Sequence, residues 1–331
     1  MRRVLPEHQL GVVVYLTTPP RSPERVTNRR LRYMHPASHK IRFDLCAFSI
    51  IQETVARTNR PLTPRNEPVQ LTDKVIIVTG GGHGIGRALC QRFAQERPRG
   101  LIVASLNPDA AEEVAKEVSG IAITGDVCDE AHVKHLVQFA EERWGGVDLF
   151  CSNAGATVKG GAETPDDDWQ HLWNLHVMSN VYAARAALPG MLARGHGYFL
   201  QTSSAGGLLT EVGSAAYSVT KHATIAFAEW LSINNRRAGI RVSCLCPSGV
   251  HTDMLDASDP VHQFLQSHAV TVEQVAECVV QGLAEEKFLI LPHPEVADFF
   301  AAKPTDYDRW LHQFSRMKEK WDRPRKQRPA A

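Results

Sequence analysis

The rhythm of apolar and polar positions changes near residue 71. Beyond it, short runs rich in Val, Ile and Leu alternate with longer segments whose apolar positions recur at helical spacing. The short runs predict strands at residues 75–79, 101–105, 121–124, 149–152, 197–202, 241–246 and 288–291. The longer segments predict helices between them. One begins at a glycine turn and carries Ile85, Ala88, Leu89 and Phe93 on one face. Others cover residues 108–120, 129–144, 167–192 and a stretch that includes Tyr217 and runs to about Asn234. Thr271 and Gln274 have capping-box spacing for a helix ending near Gly282. Alternating strands and helices are the pattern of βαβ units. The expected fold class is therefore α/β, a doubly wound Rossmann-type parallel sheet of about seven strands with helices on both faces.

Residues 1–70 show no such period. Pro19, Pro20, Pro23, Pro61, Pro64 and Pro68 punctuate them, and they hold 12 Lys+Arg against 5 Asp+Glu, whereas the other 261 residues hold 25 against 31. They read as a poorly structured Arg/Pro-rich leader. It is a targeting segment, a disordered extension, or translation assigned too far upstream of a working protein that begins near residue 69. Residues 71–292 form the expected catalytic domain. Residues 293–331 form a C-terminal helical tail whose Phe299, Phe300, Tyr307, Trp310, Leu311 and Phe314 suit packing on a sheet edge or a subunit.

Charge and cysteine content narrow the partners. The net charge of +1 gives no footprint for nucleic acid. No apolar run approaches the roughly 20 residues of a membrane span. Seven cysteines are scattered without a C-x-x-C pair. They read as small buried residues in a reducing compartment, which places the protein in the cytoplasm unless residues 1–70 direct it to an organelle. His176, His222, His251 and His293 form no metal-ligand spacing, and Asp166-Asp167-Asp168 is a helix N-terminal charge cluster, so no metal is expected.

The candidate chemistry lies in two segments. Thr79-Gly80-Gly81-Gly82-His83-Gly84-Ile85-Gly86 directly follows the first strand. A strand that breaks into glycines and re-enters a helix aims backbone N–H groups and a helix dipole at a pyrophosphate. The second strand normally ends in an acid that holds the adenosine ribose and repels a 2′-phosphate. Here it ends Ser105-Leu106-Asn107, without an acid. Ser105 and Asn107 can donate to a phosphate and His83 or Arg87 can add charge, so NADP is favoured over NAD. Asp126-Val127 suits an adenine contact or a plain turn. Ser152-Asn153-Ala154-Gly155 ends the fourth strand with residues small enough for a ligand to lie on the backbone.

The second segment is Tyr217-Ser218-Val219-Thr220-Lys221, with Ser204 upstream. Four residues apart, Tyr217 and Lys221 share a helix face. An ammonium beside a phenol favours the phenolate, so Tyr217 is expected to exchange protons with a carbonyl or alcohol oxygen near neutral pH. Ser204 would polarise that oxygen. Lys221 would also hold the nicotinamide ribose, and Asn174 would interrupt its helix and hold a relay water.

On these residues the chain closely resembles the short-chain dehydrogenase/reductase family, over residues 71 to 290. The resemblance rests on Thr79-Gly80-x-x-x-Gly84-Ile85-Gly86, Asp126-Val127, Asn153-Ala154-Gly155, Asn174, Ser204 and Tyr217-x-x-x-Lys221. It implies that Asn174, Ser204, Tyr217 and Lys221 are the catalytic tetrad. It further implies that Pro247, Val250 and Thr252 belong to a loop over the nicotinamide, and that the protein is a homodimer or homotetramer. Ser152 replaces a usual Asn, and Ser248 a usual Gly. The expected activity is NAD(P)-dependent interconversion of a carbonyl and a secondary alcohol. Leu208, Leu209, Met254, Leu255 and Phe264 make the substrate mouth apolar, which suggests an apolar ketone or secondary alcohol. A cofactor-binding sensor without turnover, or a lyase or epimerase on the same fold, are the alternatives.

Overall fold

The computed structural model describes residues 70–255 and 260–322. The expected leader lies almost wholly outside the described residues, and so does the chain beyond residue 322.

Seven strands form one parallel sheet: β1 Val75–Thr79, β2 Gly100–Ser105, β3 Ile121–Thr124, β4 Leu149–Ser152, β5 Gly197–Thr202, β6 Ile240–Leu245 and β7 Leu289–Ile290. Their order is β3-β2-β1-β4-β5-β6-β7. Ile77 of β1 stands opposite Ile102 of β2 and Phe150 of β4. The strands read as unbroken apolar runs because both faces of the sheet are covered. Every residue of β1, β2 and β4 is buried.

Helices α1 Gly84–Gln95 and α2 Pro108–Glu117 pack on one face, and α3 Glu130–Trp144 on the other. The caps are those the sequence chemistry favours. Asn107 accepts from Ala110 N (3.1 Å) and Asp129 from Ala131 N (2.9 Å), while Gly145 ends α3 in the left-handed region.

The single helix expected over residues 167–192 is three pieces. Helix α4 Asp166–Trp173 runs into a π-helical turn, Asn174–Met178, and continues as α5 Ser179–Arg194. The wider turn breaks the regular hydrogen-bond ladder, and side chains take up its carbonyls. Ser179 Oγ donates to Leu175 O (2.5 Å), and Asn180 Nδ2 (2.6 Å) and Thr224 Oγ1 (2.9 Å) both donate to His176 O. A short helix, α6 Ala205–Leu208, follows β5, and α7 Ala215–Asn235 leads to β6. With α5 and α7 the second face is complete. Helix α8 Pro260–Gln266 lies in the long connection after β6, and α9 Val272–Ala284, which carries the expected Thr271 capping box, packs beside α1.

The tail forms α10 Glu295–Ala302 and α11 Tyr307–Asp322. Val296 and Trp310 are buried in the same cluster as Leu208 and Leu209. Lys303 Nζ donates to Leu208 O (2.8 Å) and lies 4.9 Å from the Trp310 ring centre. The tail is therefore anchored on α6, and α11 also touches α8. Among the described residues no helix is long and apolar enough to cross a membrane.

Candidate active site

The strand order reverses between β1 and β4, which opens a crevice at the carboxyl edge of the sheet. The glycine turn sits there. A Cβ on Gly86 would come within 2.1 Å of Gly80 O, so the β1–α1 turn closes this tightly only with glycine at that point. Gly84 has φ +51°, and a Cβ on it would meet Thr252 Cγ2 at 3.2 Å. The start of α1 thus lies against the loop after β6. The N-cap, His83, contributes no side-chain hydrogen bond, and the first turn holds no acid. Its orphan N–H groups and positive dipole end are matched to an anion. The cradle accordingly fits the pyrophosphate of a dinucleotide.

The end of β2 is more occupied than its sequence implied. Ser105 is buried and its Oγ accepts from Asn107 N (3.3 Å), while Asn107 Oδ1 caps α2. Arg87 is held by Glu117 (2.5 Å) and Glu113 (2.9 Å). His83 is exposed. After β3, Asp126 is exposed and accepts from Cys128 N (2.8 Å), and Val127 is buried.

The end of β4 is stitched to its neighbours by a residue the motif reading treated only as part of a turn. Thr79 Oγ1 donates to Cys151 O (3.2 Å) and accepts from Asn153 N (3.0 Å) and Ala154 N (3.3 Å). Asn153 Nδ2 donates to Thr79 O (3.3 Å), and its Oδ1 accepts from Thr202 Oγ1 (3.2 Å). A Cβ on Gly155 would lie 3.5 Å from Lys221 Nζ, so the chain after β4 runs directly past the lysine.

Ser204, Tyr217 and Lys221 converge across this gap. Ser204 N-caps α6, accepting from Gly206 N (3.0 Å), and its hydroxyl bonds the Tyr217 phenol. Ser214 caps α7, accepting from Tyr217 N (3.2 Å). Lys221, one turn on, is buried, donates to Thr202 O (2.9 Å) and lies 5.5 Å from the Tyr217 ring centre. The π turn begins at Asn174, whose Oδ1 accepts from Gln170 Nε2 (2.9 Å). No hydrogen bond joins it to Lys221 among the described residues.

The electrostatics differ from the expectation that Lys221 lowers the phenol. Burial pushes the Tyr217 pKa up to about 12, opposed by the Ser204 hydrogen bond. Lys221 is itself lowered to about 8 by burial. Desolvation outweighs the Ser204 hydrogen bond, the one influence that favours the phenolate here.

The structure adds His176, which the sequence reading left as a core or exposed histidine. It is 1% exposed, and its ring meets Tyr217 edge-on at 5.6 Å. Nε2 accepts from Ala156 N (3.2 Å), which leaves the proton on Nδ1 for Thr220 Oγ1 (2.9 Å). Burial and the Lys221 charge hold its pKa well below the usual histidine value.

The loop after β6 completes the site. Pro247 O accepts from Ala205 N (2.7 Å) and Ser204 Oγ (3.4 Å). Val250 is buried, and Thr252 Oγ1 donates to Val250 O (3.4 Å). Ser248, in place of glycine, has no left-handed backbone to strain it. On the substrate side Leu208 and Leu209 are core residues under the tail, whereas Met254 is 43% exposed. The Phe264 side chain lies outside what is described.

Comparison with known proteins agrees with this architecture. The sequence profile described as "short chain dehydrogenase" matches residues 74–262. The chain is 31% identical over 236 residues to 1-deoxy-11-beta-hydroxypentalenate dehydrogenase of Streptomyces exfoliatus, covering 69% of this chain and 86% of that one. It is 28% identical to the CLA biosynthesis dehydrogenase/reductase of Lactiplantibacillus plantarum, covering 67% and 89%. Among solved structures it is similar to a short-chain dehydrogenase/reductase from Burkholderia phymatum in complex with NAD, with a TM-score of 0.67 and 26% identity over 72% of this chain and 96% of that one. It is also similar to L-sorbose reductase from Gluconobacter frateurii complexed with NADPH and L-sorbose, with a TM-score of 0.62 and 25% identity over 67% and 95%. Fold and site define an α/β oxidoreductase that depends on NAD(P). The chain belongs to the short-chain dehydrogenase/reductase family.

Proposed function

We propose that the protein interconverts a carbonyl compound and a secondary alcohol, with Tyr217 as the acid/base. The observation that carries this reading is the convergence of Ser204, Tyr217 and Lys221 beside an uncapped helix N-terminus at the sheet's switch point. A nicotinamide dinucleotide supplies or accepts the hydride when bound. Gly80, His83, Gly84, Ile85 and Gly86 would hold its pyrophosphate, with Ser105, Asp126 and Val127 on the adenosine side. Asn153, Ala154, Gly155, Pro247, Val250 and Thr252 would line the nicotinamide side. In reduction, Ser204 Oγ and the Tyr217 phenol hydrogen-bond the carbonyl oxygen, and Tyr217 gives it the proton. In oxidation Tyr217 takes the alcohol proton back. Lys221 would bond the nicotinamide ribose, and its positive charge favours the tyrosinate formed in reduction. Asn174, at the start of the π turn, would sustain the proton relay. A phenol with a pKa near 12 is protonated at neutral pH and is poised as a donor.

We assign NADP as the preferred form, because no acid stands at the end of β2 to repel a 2′-phosphate. The substrate class is an apolar ketone or secondary alcohol, supported by exposed Met254 and half-buried Leu255 in the loop after β6; Leu208 and Leu209, buried under the tail, do not line that mouth. Residues 71–292 would act as the catalytic domain and 293–331 as its covering tail. A homodimer or homotetramer is supported by an exposed apolar stripe on α7, formed by Val219, Trp230 and Ile233. Cytoplasmic location is supported by the cysteines, which are all free among the described residues.

The test is a fluorescence titration of the full chain with NADPH and NADH, followed by turnover on a panel of apolar ketones. Tyr217→Phe is expected to lower turnover by on the order of 10²–10⁴-fold while keeping cofactor affinity. Equal turnover by the variant would overturn Tyr217's role. Binding without turnover on the whole panel would favour a sensor.

A further inference from the structure

We propose that His293 is a positioning residue, a neutral imidazole that latches the loop after β6 across the α1 N-terminus by holding its backbone at residues 248 and 249. Its place in the chain hides this role. It follows β7, 45 residues from Ser248, yet it is 2% exposed and both ring nitrogens are engaged. Nδ1 accepts from Ser248 N–H (3.1 Å). A backbone amide can only donate, so the ring proton is on Nε2, which donates to Gly249 O (3.0 Å). The imidazole therefore grips the backbone of two consecutive residues, the Ser248 N–H through its acceptor and the Gly249 C=O through its donor.

Those two residues form the base of the loop. Gly249 O also accepts from Val270 N (3.1 Å), and His251 N donates to Val270 O (3.1 Å). The chain leaves at Val250 and returns at Val270 as a parallel bridge. Because Val270 N–H shares the Gly249 carbonyl that the imidazole holds, the returning chain is tied to the same point. On the other side of the latch, Pro247 O receives Ser204 Oγ and Ala205 N, and Thr252 lies against Gly84. One side chain thus sets the loop that contacts both Ser204 and the glycine cradle. That the loop covers a dinucleotide rests on the function proposed above. That His293 holds the loop does not.

The latch needs the neutral ring. A protonated His293 would turn Nδ1–H toward Ser248 N–H, placing two donors face to face. Glu295 at the start of α10 and the His268 carbonyl favour protonation, but burial outweighs them and holds the pKa below the usual histidine value. The neighbouring His268 imidazole is occupied with Ser267 Oγ (2.8 Å). The loop should therefore stay latched at neutral pH and open in mild acid.

The experiment compares hydrogen exchange of residues 248–252 in the full-length protein, His293→Phe and His293→Gln, with NADPH and NADH affinities measured alongside. His293→Phe keeps bulk and removes both polar atoms. His293→Gln keeps an acceptor and a donor that do not titrate. The latch predicts exchange at least about tenfold faster in His293→Phe, as expected for one to two lost hydrogen bonds, confined to residues 248–252 and 268–270. It also predicts partial restoration in His293→Gln. Corrected for intrinsic rates, the wild type should gain the fast exchange only as the pH falls below the ordinary histidine value of about 6.5, and His293→Gln should not gain it at any pH. Unchanged loop exchange in His293→Phe, or a rise spread evenly over the sheet, overturns the latch. So does a shared pH profile of the wild type and His293→Gln, which decides the matter even if His293→Phe fails to fold. A wild type that binds neither dinucleotide overturns the functional reading, and the exchange data still decide the latch.

Discussion

Lys221 shows how much the site costs the fold. Its ammonium is buried, and its pKa falls from 10.5 to about 8. The unfolded chain therefore binds more protons than the folded one between those values. Stability should rise with pH from about 8 to about 10.5, and below pH 8 the charged lysine costs about 3 kcal/mol. Lys221→Met removes that cost and gives up the hydrogen bond to Thr202 O, worth about 1–2 kcal/mol. We expect the variant to lose turnover yet be more stable by about 1–2 kcal/mol in urea unfolding at pH 7. A loss of stability would mean that the lysine is structural. Tyr217 carries the matching pH prediction for turnover. With the phenol high, oxidation should accelerate as pH rises, because it needs the tyrosinate, and reduction should hold its rate through neutral pH. The Tyr217–Lys221 spacing was legible in the sequence, but the sign of the tyrosine shift was not, because burial is set by residues far away in the chain.

Among the elements, the π turn is the feature that periodicity could not reveal. Apolar positions along 167–192 satisfy one helix; Asn174 marked where it would be interrupted, but the wider turn itself shows only in which carbonyls need partners. Asn180 is 4% exposed and supplies one of them. Asn180→Ala should cost about 1–3 kcal/mol in denaturant unfolding, because it strands part of the bonding at His176 O. It should also slow turnover, since His176 packs on Tyr217. Retained stability and rate would show that Thr224 alone suffices. The tail makes a separate prediction. Lys303→Met deletes the bond to Leu208 O and the contact with Trp310. It should raise the KM for the proposed carbonyl substrate severalfold and leave cofactor affinity unchanged, because α6 is capped by Ser204, to which the proposed mechanism gives the carbonyl oxygen. A change in cofactor affinity instead would place the tail's influence on the cradle.

At the scale of the whole molecule, the proposed preference for NADP can be tested through charges on two helices. Arg87 of α1 is neutralised by Glu113 and Glu117 of α2. Glu117→Gln should free part of that charge and shift preference toward NADPH over NADH by about two- to fivefold, the scale of an exposed ion pair. No shift would remove Arg87 from the phosphate site. For assembly, Trp230→Glu combined with Ile233→Glu places charges in the α7 stripe and should convert the proposed oligomer to a monomer in analytical ultracentrifugation. A monomeric wild type would overturn the oligomer.

The sequence by itself determined the alternation of strands and helices, their bounds to within a few residues, the glycine cradle and the Tyr217–Lys221 pair. Each is encoded within a short window, by a hydrophobic period, a cap or a glycine. Only the tertiary structure decided which distant groups meet: Thr79 with Asn153, His176 with Tyr217, and His293 with Ser248. Those meetings depend on strand order and register, which set which strand ends lie side by side. They also depend on burial, which shifts a pKa through the atoms that exclude water and not through neighbours in the chain.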